Sequence, residues 1–239
     1  CNVKCSGYRP PSYKSIMRIG NPNLHKYTAV VPTMLKSARF EKLVEDLQNE
    51  PFCDEVIIID NSGNLEPSIP YHPKQRYICE GRNTGCNPAW NKGVELAKNK
   101  SVVICNDDIN FDTKILGIIN PTILQNSGII GLGGESFSLN SSLKNPKIQR
   151  WQSGIDESGW GCLLFTLKSH WIKIPDDLIV WYGDNFIKDV NPFPKSILRG
   201  WKVDTEMSTT TDLPELDEIK KQDLKNWVRH FQNKGRWRV

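Results

Sequence analysis

The apolar positions of the chain fall into short buried runs separated by amphipathic stretches. YTAVVPT (27–33) is a β-branched run closed by Pro32 and Thr33. In SARFEKLVEDLQNE (37–50), Phe40, Leu43, Val44 and Leu47 recur at helical spacing. EVIIID (55–60) is apolar without alternation, as a strand covered on both faces requires. A turn-rich stretch, NSGNLEPSIPYHP, separates it from the next strand, QRYIC (75–79). NPAWNKGVELAKN (87–99) predicts a helix with Pro88 in its first turn. SVVICN (101–106) predicts a strand, TKILGIINPTILQN a helix interrupted at Pro121, and GIIGLGG (128–134) another strand.

Strands alternating with helices over short connections define an α/β chain built from βαβ units, with a mainly parallel sheet flanked by helices. In such sheets ligands bind outside the carboxyl ends of the strands. Three of those ends here are polar: Thr33, Asp60 and the cluster Asn106–Asp108.

Beyond residue 134 the pattern loosens. Residues 135–160 are loop-like, WGCLLFTLK (160–168) returns to buried-strand composition, and tryptophans become frequent. The expected organisation is an N-terminal arm (1–26) and one domain (27–239). That domain divides into a first half (27–133), a smaller second half (134–211) and a C-terminal amphipathic basic helix (212–239). Leu216, Ile219, Leu224, Trp227, Val228 and Phe231 form the apolar stripe of that helix, and Lys220, Lys221, Arg229, Lys234, Arg236 and Arg238 its basic side and end. Packing on the body with a solvated cationic face is the favoured reading; peripheral contact with a membrane surface is the other.

Composition narrows the function classes. A net charge of +4 over 239 residues is too small to argue for a nucleic-acid partner. No apolar run approaches the ~20 residues that cross a bilayer, and the first residues lack a signal-peptide pattern. The seven cysteines show no CxxC pair and no zinc spacing. Such usage points to a reducing, cytoplasmic setting, although Cys1 and Cys5 can pair under oxidation. No GxxxxGK[ST] loop is present, which disfavours a P-loop kinase.

The adjacent carboxylates Asp107 and Asp108 end a buried strand with no neutralising residue beside them. They either face water in a loop or hold a hard divalent cation, which in phosphate chemistry takes one or two protein carboxylates and leaves room for substrate oxygens. Because neighbouring residues on a strand point to opposite sides, only one of the two is expected on the metal.

The order VVPT, helix, VIIIDNSG, strand, NTGCNPAWNKGVELA, VVICNDDI resembles the nucleotide-binding half of glycosyltransferase family 2 and its relatives with the GT-A fold. The resemblance spans residues 27 to 112. It implies a GT-A (Rossmann-like) sheet with a smaller acceptor-side subregion and a nucleotide-sugar donor, UDP- or dTDP-linked by preference. It also implies a glycan or glycoconjugate acceptor and a Mn²⁺ (or Mg²⁺) cofactor.

Residue by residue, the resemblance places Asp108 on the metal with Asp107 in support. Pro32, Thr33, Asp60, Asn83, Asn91 and Asn106 fall at the nucleotide. Asp60 can accept the imide N–H of uracil or thymine; equally, it can cap the turn at Asn61-Ser62-Gly63. The sequence writes Asn-Asp-Asp where the strict motif begins with Asp. KVDTEMSTTTD (202–212) lacks the histidine that many relatives use as a further metal ligand and offers only Glu206.

In inverting members a carboxylate at a helix N-terminus downstream is the general base, and Asp184 holds the matching place. The other readings are that Asp184 caps the helix, or that Asp176 or Asp177 is the base. Trp181, Tyr182 and Trp160 are the candidate acceptor platform. A non-catalytic sugar- or nucleotide-binding module on the same scaffold is the alternative to an enzyme.

Overall fold

The computed structural model describes residues 25–64, 69–152, 155, 158–206 and 216–232. Most of the N-terminal arm and residues 233–239, with Lys234, Arg236 and Arg238, lie outside them.

The run 27–33 becomes β1 (Tyr27–Thr33), every residue of it buried. It lies between β2 (Cys53–Asp60) and β4 (Ser101–Cys105), parallel to both, and β3 (Gln75–Cys79) extends the sheet beyond β2. The uninterrupted apolar composition of these strands follows from helices on both faces. Tyr27, Ala29 and Val31 pack with α1 (Phe40–Asn49) through Phe40, Leu43, Val44 and Leu47, while Val30 faces Trp90 and Val94 of α2 (Cys86–Leu96). Gly93 allows that approach, because a Cβ on it would lie 2.8 Å from Val30 Cγ2.

The second half is mixed. β6 (Ile129–Leu132), β7 (Lys147–Arg150), β8 (Leu163–Leu167) and β9 (Lys195–Arg199) complete an eight-stranded sheet in the order β3-β2-β1-β4-β8-β6-β9-β7. β8 runs antiparallel to both β4 and β6, so only the first half is wholly parallel. The predicted interruption at Pro121 separates α3 (Ile115–Ile118) from α4 (Pro121–Ser127). Asn120 caps the latter by accepting from Ile123 N at 3.1 Å. β5 (Ile109–Phe111), immediately after the Asp107–Asp108 turn, pairs antiparallel with β10 (Val203–Thr205) in a separate two-stranded sheet. α5 (Gly183–Val190) and α6 (Asp217–Gln232) pack together beside the second half.

α6 departs from the expected stripe. Leu224, Val228 and Phe231 are exposed, whereas Asp223 and Asn226 are buried. The helix lies against the backbone of residues 177–181, whose amides and carbonyls must find partners once buried. Asp223 and Asn226 supply them, so polar side chains displace apolar ones from the inner face. Trp227 contacts the body through Tyr182, and among the described residues no helix is long and apolar enough to cross a membrane.

Candidate active site

Register brings the three polar strand ends together. Thr33 pairs with Asp60 across β1 and β2, and Val30 with Ile104 across β1 and β4, so Asp107 reaches the level of Thr33. The Thr33 hydroxyl donates to Asp107 Oδ2 at 2.6 Å. From the other half, the antiparallel pairing of Cys105 with Leu163 sets Cys162 beside Asn106, whose amide donates to the Cys162 carbonyl at 2.9 Å.

The ends of β1 and β4 open into a cleft of about 340 Å³. Pro32, Thr33, Asn83, Asn106, Asp107, Asp108, Trp181 and Asp184 all line it, together with Met34, Cys86, Cys162 and Leu216. Asp108 and Asp184, contributed by different halves of the chain, therefore share one cavity.

Four expected residues do not line it. Asp60 is buried, accepting from Ser62 N at 2.6 Å and from the Tyr77 hydroxyl; the turn-capping alternative is the role its geometry displays. Asn91 spans a loop instead, donating to Ile174 O at 2.8 Å and accepting from Ile174 N and Trp171 Nε1. Trp160 is 1% exposed, its indole N–H bonded to Ser196 O, so no face of it is open to an acceptor. Tyr182 turns away to stack on Trp227 at 5.3 Å. Of the alternative bases, Asp176 pairs with Lys173, and Asp177 with Arg229 and His230.

Burial dominates the electrostatics of the acidic turn and disfavours the charged form of both carboxyls. Burial pushes the Asp107 carboxyl up to about 6, although the Thr33 hydroxyl bond opposes the shift. Asp108 is also raised, chiefly by burial and further by Glu206 nearby. Asp108 Oδ1 is buried without a hydrogen-bond partner, an expensive condition for a carboxylate oxygen.

Among the described residues no group of three or more His, Cys, Asp or Glu side chains forms a metal-ligand cluster. The donors at hand are Asp108, Asp107 behind it, and Glu206, whose amide donates to Asp108 O at 3.2 Å. Glu206 itself is engaged by Arg39 and Ser37. An oxygen-only set this small, with Asp108 in the cleft wall and one of its oxygens unpartnered, fits Mn²⁺ or Mg²⁺ completed by phosphate oxygens.

Asp184 stands in the first turn of α5. Its Oδ1 accepts from Asn185 N at 2.8 Å, and Oδ2 lies 4.0 Å from Lys188 Nζ. The backbone at Gly161 passes close by, an ideal Cβ there lying 3.1 Å from Asp184 Cβ. The two cleft thiols, Cys86 and Cys162, are raised by burial and then by these carboxylates, Cys162 to about 12, so both remain protonated at neutral pH.

A parallel sheet carrying an acidic turn at its carboxyl edge, joined through an antiparallel strand to a second half with a carboxylate at a helix start, defines the GT-A glycosyltransferase fold. Solved structures agree. Staphylococcus aureus TarS (residues 1–349) superposes with a TM-score of 0.56 at 15% identity, over 87% of this chain and 72% of that one. GalNAc-T7, solved with UDP, GalNAc and Mn²⁺, gives 0.61 at 12% identity over 88% of this chain. The mannosyltransferase PcManGT of Pyrobaculum calidifontis, solved with GDP-Man and Mn²⁺, gives 0.54 at 13% identity over 87% of this chain. The present chain spans about half (49%) of the GalNAc-T7 chain and 66% of the mannosyltransferase. No protein-family model and no curated protein matches the sequence. Likeness at such identities establishes the fold.

Sequence reasoning missed Met34, Cys86, Cys162 and Leu216 in the cleft wall, and Asn87 and Asp223 behind it. The cysteines and Leu216 carry no signal in a single sequence. Asp223 does carry one: a carboxylate inside the apolar stripe of a helix.

Proposed function

We propose that the protein is a divalent-metal-dependent, inverting glycosyltransferase that moves a sugar from a nucleoside-diphosphate donor to a hydroxyl of a glycan or glycoconjugate. The observation that carries the proposal is the shared cleft: Asp108, with its unpartnered buried oxygen, and Asp184 line the same cavity from the two halves of the chain.

In this reading Pro32, Thr33, Met34 and Asn83 hold the nucleoside, and Asn106 lies next to the diphosphate. The preference for uracil or thymine rests on Asp60, which must release Tyr77 to reach a base. Mn²⁺ or Mg²⁺ on Asp108, supported by Asp107, would offset negative charge on the diphosphate. Asp184 Oδ2 takes the acceptor hydroxyl proton while that oxygen bonds to the anomeric carbon and the bond to the diphosphate breaks. The Asn185 amide fixes the other oxygen, and Trp181 offers an aromatic face for the acceptor ring.

Hydrolysis and transfer from a panel of UDP-, GDP- and dTDP-sugars with Mn²⁺ test the proposal. Asp184→Asn should lower turnover by about 10²–10⁴-fold, the worth of a general base, with nucleotide binding retained. Unchanged turnover would remove Asp184 from the mechanism. No turnover by the wild type, with nucleotide bound, would favour the non-catalytic binding module.

A cytoplasmic, membrane-peripheral placement belongs to the same proposal. It is supported by the free thiols of Cys53, Cys79, Cys86, Cys105 and Cys162 and by exposed Leu224 and Val228 beside Lys221 and Lys225. Flotation with phosphatidylglycerol vesicles, lost in Leu224→Glu, is the expected result; no flotation of the wild type would refute the membrane contact.

A further inference from the structure

Asp223 is completely buried, and among the described residues no cation pairs with it. Its oxygens instead accept from three successive backbone amides: Oδ1 from Ile179 N at 3.0 Å, and Oδ2 from Val180 N at 2.8 Å and Trp181 N at 2.9 Å. Charge-assisted bonds of this kind are what keep an unpaired carboxylate in a buried place. A helix that only had to pack would put Leu224 there; this one leaves Leu224 in solvent and turns an acid inward.

The same short segment is held from the donor half. Asn87, buried in the first turn of α2, donates its side-chain amide to Leu178 O at 3.2 Å and Trp181 O at 3.1 Å, and its backbone N–H to Ile179 O at 3.1 Å. Gly85, at φ +92°, leaves no room between the two, since a Cβ would stand 2.5 Å from Ile179 Cγ2. Asn226 adds a bond to Asp177 O at 2.6 Å. The amides of residues 179–181 are thus gripped by α6, and the carbonyls of Leu178, Ile179 and Trp181 by α2.

The gripped segment runs directly into the cleft wall. Trp181 lines the cavity, with Lys220 Nζ of α6 5.7 Å from its ring centroid. Tyr182 adopts a left-handed conformation, φ +63°, and stacks on Trp227. Gly183 is pressed on Asn87, and Asp184 comes next. Only two residues separate the Asp223 grip at Trp181 from the proposed base.

We propose that Asp223 is a positioning residue of the active site: by fixing the amides of residues 179–181 it sets where Trp181 stands and where α5, with Asp184, begins. Asn87 does the same from the donor half, and α6 is part of the catalytic unit. The inference rests on Asp184 being the base.

The test uses the full chain and Asp223→Asn, which keeps the shape and turns one acceptor into a donor facing amides. Hydrogen exchange of peptides covering 177–186 should accelerate at least tenfold, with β1 and β4 unchanged. Melting-point stabilisation by UDP with Mn²⁺ should stay at the wild-type value. Hydrolysis of UDP-glucose, GDP-mannose or dTDP-glucose, whichever the wild type turns over, should fall by about tenfold or more per folded molecule, as misplacement of a catalytic group does. Asp223→Glu, which retains the carboxylate, should recover part of the rate. If Asp223→Asn does not accumulate as folded protein, Asn87→Ala reads the same quantities.

Unchanged exchange at 177–186 would overturn the clamp. Faster exchange with unchanged turnover per folded molecule would overturn the positioning role. A wild type that neither binds UDP with Mn²⁺ nor turns over any of the three donors would overturn the glycosyltransferase reading and the positioning role with it, while the exchange result would still decide whether the clamp exists.

Discussion

Gly183→Ala sets two physical effects against each other with opposite signs. Gly183 opens α5 with an ordinary negative φ, so alanine there loses less chain entropy on folding and gains up to about 1 kcal/mol from helix propensity. Against this, a Cβ would lie 2.5 Å from Asn87 Cγ and 2.9 Å from Asn87 Nδ2, and closer still to Oδ1. Asn87 is 1% exposed, and restoring ordinary contact requires it to move by roughly 1 Å in a close-packed interior. Overpacking of this kind costs about 1–3 kcal/mol. The displaced amide also loses its bonds to Leu178 O and Trp181 O, at about 0.5–1.5 kcal/mol each. The net expectation is a loss of about 2–4 kcal/mol, or roughly 5–15 °C in melting temperature for a domain of this size. Calorimetric melting of both proteins measures it, with UDP and Mn²⁺ binding in parallel to show that the donor half is intact. A melting temperature equal to or above the wild type would refute the close contact, and with it the docking of α5 on α2.

Further expectations concern the acidic turn and one buried histidine. Asp108→Asn should raise the stability of the metal-free protein by about 1–3 kcal/mol, because it removes an unpartnered buried charge; urea unfolding in EDTA checks this, and a destabilised variant would show the carboxylate to be satisfied. His170, buried and stacked on Phe193 at 3.9 Å, is lowered from its ordinary 6.5 by burial. The unfolded chain then binds the proton more readily, so its contribution to stability is complete above about pH 6.5 and is lost as the pH falls below it. His170→Gln should flatten that slope in melting temperature between pH 7 and pH 5.5; an identical slope in the variant would assign it to another group.

The first half of the fold was legible because its strands are buried on both faces. Continuous runs such as EVIIID mark such strands, and the polar ends of β1 and β4, Thr33 and Asn106–Asp108, mark the cleft edge. Helical spacing of Phe40, Leu43, Val44 and Leu47 likewise located α1 and its inner face. The second half was less readable, because the direction of β8 depends on pairing with β4 and β6, which its composition does not encode. Individual side-chain roles were harder still. Asn83 and Asn91 stand in the same kind of Asn-x-Gly step, yet one opens to the cleft and the other bridges a loop. The family resemblance puts Asp60 at the nucleotide and residue type puts Trp160 on the acceptor side. The structure shows each bonded to a local partner, the Tyr77 hydroxyl and Ser196 O, that a single sequence does not reveal. For α6 the apolar periodicity misled in part: Trp227 does pack on Tyr182, but the helix also covers the backbone of residues 177–181, and Asp223 and Asn226 answer that demand.

Nucleotide binding with and without metal bears most directly on the central claim, that the acidic turn and Asp184 frame a diphosphate site. The melting temperature of the wild type is followed with UDP, GDP or dTDP, in Mn²⁺ or in EDTA, beside Asp108→Asn. The account predicts stabilisation by at least one nucleotide only when Mn²⁺ is present, about 2.7 kcal/mol at a hundredfold excess over Kd, and its loss in Asp108→Asn. No stabilisation by any nucleotide, or stabilisation that persists in EDTA and in the variant, would contradict it.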